Sequence, residues 1–123
     1  MANTIVEESI LNSIKKLLNI SSNVEVFDQD IALQINTALA NLVQMGVGPE
    51  NGYRINSASD TWADFVGQPT AENNPLLVEN LKTYVFIKVK MMFDPPQNSA
   101  MIDAMERQAK EIEYRVYTQK GGY

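Results

Sequence analysis

Residues 75–96 read PLLVENLKTYVFIKVKMMFDPP, and this stretch decides the fold. Pro75 suits the first position of a helix, where its missing N–H has no partner to lose. Val78, Leu81, Val85, Val89 and Met92 then recur at helical spacing as the main apolar stripe. Leu77, Tyr84, Ile87 and Met91 widen that stripe, and only an arc holding Glu79, Lys82, Thr83 and Lys90 is polar, with Phe86 inside it. A helix apolar over so much of its circumference is central in its domain or buried against a neighbouring subunit. Phe86, set between Lys82 and Lys90, points to a subunit contact. The apolar part, Leu81 to Phe93, is interrupted by three lysines and is shorter than the roughly 20 residues needed to span a bilayer. Asp94-Pro95-Pro96 ends the helix, because proline lacks the donor and restricts the residue before it.

Downstream, a helix starting near Asn98 or Ser99 carries Met101, Ile102, Met105, Ala109, Ile112 and Val116 on one side. Its other side places Asp103, Glu106 and Glu111 four residues before Arg107, Lys110 and Arg115, pairs that stabilise an exposed helix by about 0.2–0.5 kcal/mol each. Upstream, Asp28 is read as the cap of a helix whose face is Ile31, Ile35, Ala38, Leu39 and Leu42, and which stops at Gly46. The first 20 residues read as a further helix, with Thr4 and Glu7 at capping-box spacing and an apolar stripe of Ile10, Leu11, Ile14, Leu17 and Leu18. Residues 47–74 are rich in Gly, Asn, Pro, Ser and Asp. Within them Ser59-Asp60 is expected to cap a short turn carrying Trp62 and Phe65 as core aromatics, closed by Gly67. So much irregular chain in a small domain is usually functional or mobile. The expected fold is all-α: one domain over residues 1–123, a small bundle of four main helices plus a short one. Long loops lie in its middle, and residues 116–123 are expected to form a flexible tail.

The chain contains neither histidine nor cysteine. That excludes zinc sites built from those residues, Ser-His-Asp and Cys-His nucleophiles, disulfides and histidine pH switches. Fifteen acids against ten bases leave a net charge of −5, a poor basis for gripping nucleic acid phosphate. The charge is unevenly spread: residues 1–74 hold net −6 and residues 75–123 net +1. Two such halves suit a protein that meets different surfaces, or are ordinary solvated surface. Glu7 and Glu8 stand where a cleaved secretory signal would carry bases.

No chemistry-bearing motif survives inspection. Gly46-Val47-Gly48 lacks the glycine, lysine and preceding strand of a phosphate loop and reads as a turn. Asp28-Gln29-Asp30 lacks the later Gly and Glu of a calcium loop. Lys82, Lys88 and Lys90 do not share one helix face as a phosphate site would need. No catalytic, cofactor or metal residue is expected, and no enzymatic activity.

The sequence resembles the small head–tail connector (adaptor) proteins of long-tailed phages. The resemblance rests on Ile10 to Leu18 (ILNSIKKLL), Phe27 to Asn36 (FDQDIALQIN), Gly46 to Pro49 (GVGP) with Trp62-Ala63-Asp64-Phe65 downstream, and Leu81 to Pro96 (LKTYVFIKVKMMFDPP). Glu111-Ile112-Glu113-Tyr114-Arg115 fits as well.

This resemblance implies a structural component of the virion neck, assembled in the host cytoplasm without membrane attachment. Its copies would form a ring, generally twelvefold, beneath the portal protein, extending the DNA channel and receiving the next neck or tail-completion protein. DNA would pass through the lumen without sequence-specific binding. Lys82, Phe86 and Lys90 become expected subunit contacts, and Tyr114, Tyr117, Lys120 and Tyr123 expected portal contacts. Glu50, Asn51, Arg54 and Glu72, in the loops, are expected to face the channel or the next ring. Rival functions are a head-completion or tail-terminator protein and a small helical DNA-binding regulator. The regulator has net charge and the lack of a basic recognition helix against it.

Overall fold

The computed structural model describes residues 8–67 and 75–119, and among these the regular elements are five helices and no strand. They are α1 (Ile10–Leu17), α2 (Asp28–Gln44), α3 (Trp62–Val66), α4 (Pro75–Phe93) and α5 (Ser99–Gln119). The all-α expectation holds. Helix α4 is the central element: α1, α2 and α5 all pack against it, and α1 also packs against α2. Its buried residues Val78, Leu81, Tyr84, Val85, Ile87 and Val89 occupy most of its circumference, as the breadth of its apolar surface requires.

The first helix is shorter than the sequence suggests. Ser9, not Thr4, is its cap, accepting from the Asn12 N–H at 3.1 Å. Thr4 and Glu7 lie outside the described residues. The physical reason is pairing with the chain fifty residues on. Ser9 is extended and forms an antiparallel bridge with Thr61, the Ile10 N–H donates to the Asp60 carbonyl at 2.9 Å, and the Trp62 N–H donates to the Glu8 carbonyl at 3.2 Å. The fully buried indole of Trp62 then donates from Nε1 to Ser13 Oγ at 3.1 Å, which confirms this tryptophan as core. Helix α1 ends at Asn19 in the left-handed region (φ 66°), with the Asn19 and Ile20 N–H groups returning to the Lys16 and Lys15 carbonyls.

Helix α2 buries the five residues read as its face. Its cap position falls on Phe27, which supplies no side-chain bond, and Asp28 is the first helical residue. Asp28 is engaged elsewhere, by Lys15. Gly46 (φ 95°) closes the helix as expected: its N–H reaches the Val43 carbonyl and the Val47 N–H reaches the Leu42 carbonyl, with Val47 buried beside the last turn. The cap of α3 is Thr61, in a reciprocal capping box with Asp64, rather than Ser59-Asp60.

At the other end of the bundle, Asn98 Oδ1 accepts from the Ala100 and Met101 N–H groups and starts α5. Ala109, Ile112 and Val116 are buried, and Glu111–Arg115 is closed at 3.3 Å. Two expectations fail here. Met92 and Met101, assigned to buried stripes, are 59% and 55% exposed, each near the turn that joins α4 to α5. The helix also runs on to Gln119, so residues 116–119 are helical rather than tail.

Candidate interaction surfaces

The loop after α2 is tied to the bundle by polar side chains acting on its backbone. Asn36 of α2 makes a two-point clamp: its Oδ1 accepts from the Ile55 N–H at 2.7 Å and its Nδ2 donates to the Ile55 carbonyl at 3.2 Å. This supplies the two bonds a neighbouring strand would make, and Ile55 is buried. Asp60 gathers the rest. Its carboxylate accepts from the Asn56 N–H (2.7 Å), the Ser57 N–H (3.1 Å) and the Tyr53 hydroxyl (3.2 Å). Those backbone donors, Asn56 first, hold the Asp60 carboxyl below its ordinary pKa against the opposing effect of burial. Burial, and then the Asp60 charge, push the Tyr53 phenol above its ordinary value. Gly48 (φ 84°) lies so close to the Phe65 ring that a Cβ there would sit 2.5 Å from Cε1.

Between these anchors the turn from Pro49 to Gly52, closed by a 2.9 Å bond from the Gly52 N–H to the Pro49 carbonyl, is exposed throughout. Glu50, Asn51 and Arg54 are all exposed there. Glu72 lies outside the described residues.

A second surface is built on a buried lysine that sequence reasoning missed. Lys15 is 1% exposed, and its ammonium donates to the Val24 carbonyl (2.6 Å), Asp28 Oδ1 (2.7 Å) and the Ser22 carbonyl (3.4 Å). Three donors meet three acceptors. The segment so pinned presents Val26 at 78% exposure, while Phe27 meets Phe93 edge to face with ring centroids 5.5 Å apart.

The Lys82–Phe86–Lys90 stripe is engaged within the chain. Lys82 pairs with Glu8 at 2.8 Å, Lys90 with Asp94 at 3.1 Å, and Phe86 is partly buried against the core. On α5, Tyr114 is 70% exposed. Tyr117 lies on the last turns of the helix, while Lys120 and Tyr123 fall outside the described residues. Inside the α4–α5 pair, the Tyr84 hydroxyl donates to Glu113 at 2.8 Å, and burial followed by that carboxylate raises the Tyr84 pKa. Among the described residues no group of His, Cys, Asp and Glu is placed to hold a metal, and no helix is long and apolar enough to cross a membrane.

Anchored loops and an exposed apolar end are surfaces suited to contacts with other proteins. The family model for phage connector proteins matches residues 10–122, and the chain belongs to that family. It is a structural protein of phage connector type, a class whose contacts are with portal and neck proteins of the virion. No curated protein matches the chain. No solved structure matches it.

Proposed function

We propose that the chain is the adaptor subunit of the head–tail connector. It assembles head to tail into a ring, generally twelvefold in related connectors, beneath the portal of the filled capsid. The ring extends the DNA channel and presents a platform to the next neck or tail-completion protein. The observation that carries this is the family match, which covers nearly the whole chain. The exposed Glu50–Arg54 loop, anchored beside Asn36 and Asp60, supports it as a surface for the channel or the downstream ring. Tyr114 and Tyr117, with Lys120 and Tyr123 beyond them, are the proposed portal contacts. The exposed flank of Phe86, with Lys82 and Lys90, is a proposed subunit contact. The acidic first 74 residues suit a channel wall, since like charge repels the phosphates of passing DNA.

Co-purification of the full chain with the portal protein of the same phage tests the reading, followed by negative-stain microscopy of the complex. Rings on the portal's tail-side face are expected. Binding to a tail component with no affinity for portal would instead assign the chain to the head-completion or tail-terminator position. A salt-sensitive shift of duplex DNA by the free chain would favour the regulator.

A further inference from the structure

Glycine follows asparagine at a single place in the chain, Asn51-Gly52. The pair sits in the turn after Pro49, and both residues are exposed. Gly52 has a left-handed backbone (φ 97°), and nothing lies within 4 Å of where a Cβ would stand. A residue without a Cβ neither screens its own backbone nitrogen nor resists a change of backbone angle. Those are the conditions under which an asparagine side chain is attacked by the nitrogen that follows it.

The other described asparagines are kept from that chemistry. Asn12, Asn36, Asn41 and Asn80 lie within helices, where the regular backbone fixes the following nitrogen. The nitrogens after Asn19 and Asn23 belong to β-branched Ile20 and Val24, and donate to the Lys15 and Ser21 carbonyls. After Asn56 the Ser57 N–H donates to the Asp60 carboxylate at 3.1 Å, a negative charge that opposes loss of its proton. Asn98 spends its side-chain oxygen on the Ala100 and Met101 N–H groups. The Gly52 N–H is bonded too, at 2.9 Å, but to the Pro49 carbonyl across an exposed turn. Local opening of such a turn costs little free energy.

We propose that Asn51 is a site of spontaneous deamidation, which converts this turn to aspartate and isoaspartate as the protein ages. Hydroxide removes the Gly52 backbone proton, and the nitrogen attacks Asn51 Cγ. An N–C bond forms, the Cγ–Nδ2 bond breaks, and ammonia leaves with a proton from water, which regenerates the hydroxide. Water then opens the cyclic imide. Breaking the bond from the Gly52 nitrogen to Cγ restores the ordinary backbone with aspartate. Breaking its bond to the Asn51 main-chain carbonyl carbon routes the chain through Cγ, as isoaspartate. Either product adds a negative charge beside Glu50 to a chain already at −5, and isoaspartate also lengthens the backbone of the turn. The charge and shape of the loop proposed to face the channel or the next ring therefore change with time. The chemistry belongs to the turn and does not depend on the connector reading.

The full chain, incubated in warm, mildly alkaline buffer, is sampled over time and digested under mildly acid conditions, and every asparagine peptide is followed by mass. A gain of about one dalton on the peptide holding Asn51 is expected. It should exceed the gain at all other asparagines together, with the aspartate and isoaspartate forms separating on chromatography. Asn51→Gln should abolish it, because the larger ring that glutamine needs closes far more slowly. The same incubation in urea should speed conversion at Asn51, since the bond to Pro49 is then lost. A folded chain that keeps its amide at Asn51, whatever the unfolded chain does, would overturn the proposal. Comparable conversion at Asn56 or Asn98 in the folded chain would overturn the selection of Asn51 by the fold. Neither result bears on portal co-purification, which tests the connector reading separately.

Discussion

Lys15 Nζ lies 2.7 Å from Asp28 Oδ1, joining the end of α1 to the start of α2 through an ammonium group that is otherwise sealed from water. The same ammonium takes two backbone carbonyls, so one side chain fixes both the spacing of two helices and the path of the loop between them. Lys15→Met removes the ammonium that donates to these groups and leaves Asp28, which is partly exposed, to rehydrate. A loss of about 2–3 kcal/mol in unfolding free energy is expected, below that for a fully buried pair. Urea denaturation measures it, and a loss under about 0.5 kcal/mol would mean that water replaces the lysine at little cost.

Gly48 and Gly46 provide a matched pair. Both have positive φ, but a Cβ at 48 would strike the Phe65 ring while one at 46 meets nothing within 4 Å. Gly46→Ala should cost about 1 kcal/mol for the backbone alone. Gly48→Ala adds a steric conflict in the core and should cost about 2–4 kcal/mol. Equal losses in thermal or urea melts would show that Phe65 moves aside freely.

Asn36→Ala removes both bonds to Ile55 and leaves a buried N–H and carbonyl without partners. About 2 kcal/mol should be lost, and the 47–60 loop should become the first site of cleavage in limited proteolysis. A wild-type cleavage pattern would assign the loop's order to Asp60 and Val47 instead.

Stability should fall at both extremes of pH, for opposite reasons. Asp60 has a lowered pKa in the fold, so its contribution is complete above the unfolded carboxyl value of about 4 and is lost as pH drops through the lower folded value. Asp60→Asn should flatten that acid limb. Tyr53 and Tyr84 have raised pKa values, so their contribution is complete below about pH 10 and is lost as pH climbs beyond it. Ultraviolet titration should show these two phenols ionising only as the protein unfolds. Ionisation of all five tyrosines together near pH 10, with the fold retained, would contradict the burial of both.

The helices were legible because their signals are local. The face of α2, the Gly46 stop and the Asp-Pro-Pro end of α4 each depend on neighbours within one or two turns. The polar frame was not, because its partners are distant in the chain. Asn36 acts on a backbone nineteen residues away, and Ser9 caps α1 only because Thr61 holds it extended. One signal was present and unread: Lys15 stands four residues after Leu11 and beside Ile14, inside the apolar stripe rather than opposite it. A lysine there is buried with partners or the stripe is broken. The exposure of Met92 and Met101 has the opposite cause, since periodicity marks what can be covered and not what this chain alone covers.

The bridge between Ser9 and Thr61 also closes the chain upon itself. Everything from α1 to the start of α3 hangs from one short seam of backbone pairing, reinforced by Trp62 on Ser13. Closing it brings together segments far apart along the chain, an entropic cost repaid only once the tryptophan is seated. The same seam makes the two halves separable in covalent terms. A single nick at the outlying Asn51-Gly52 turn would leave each piece fastened to the other, one by α1 and α2, the other by the tryptophan and α4.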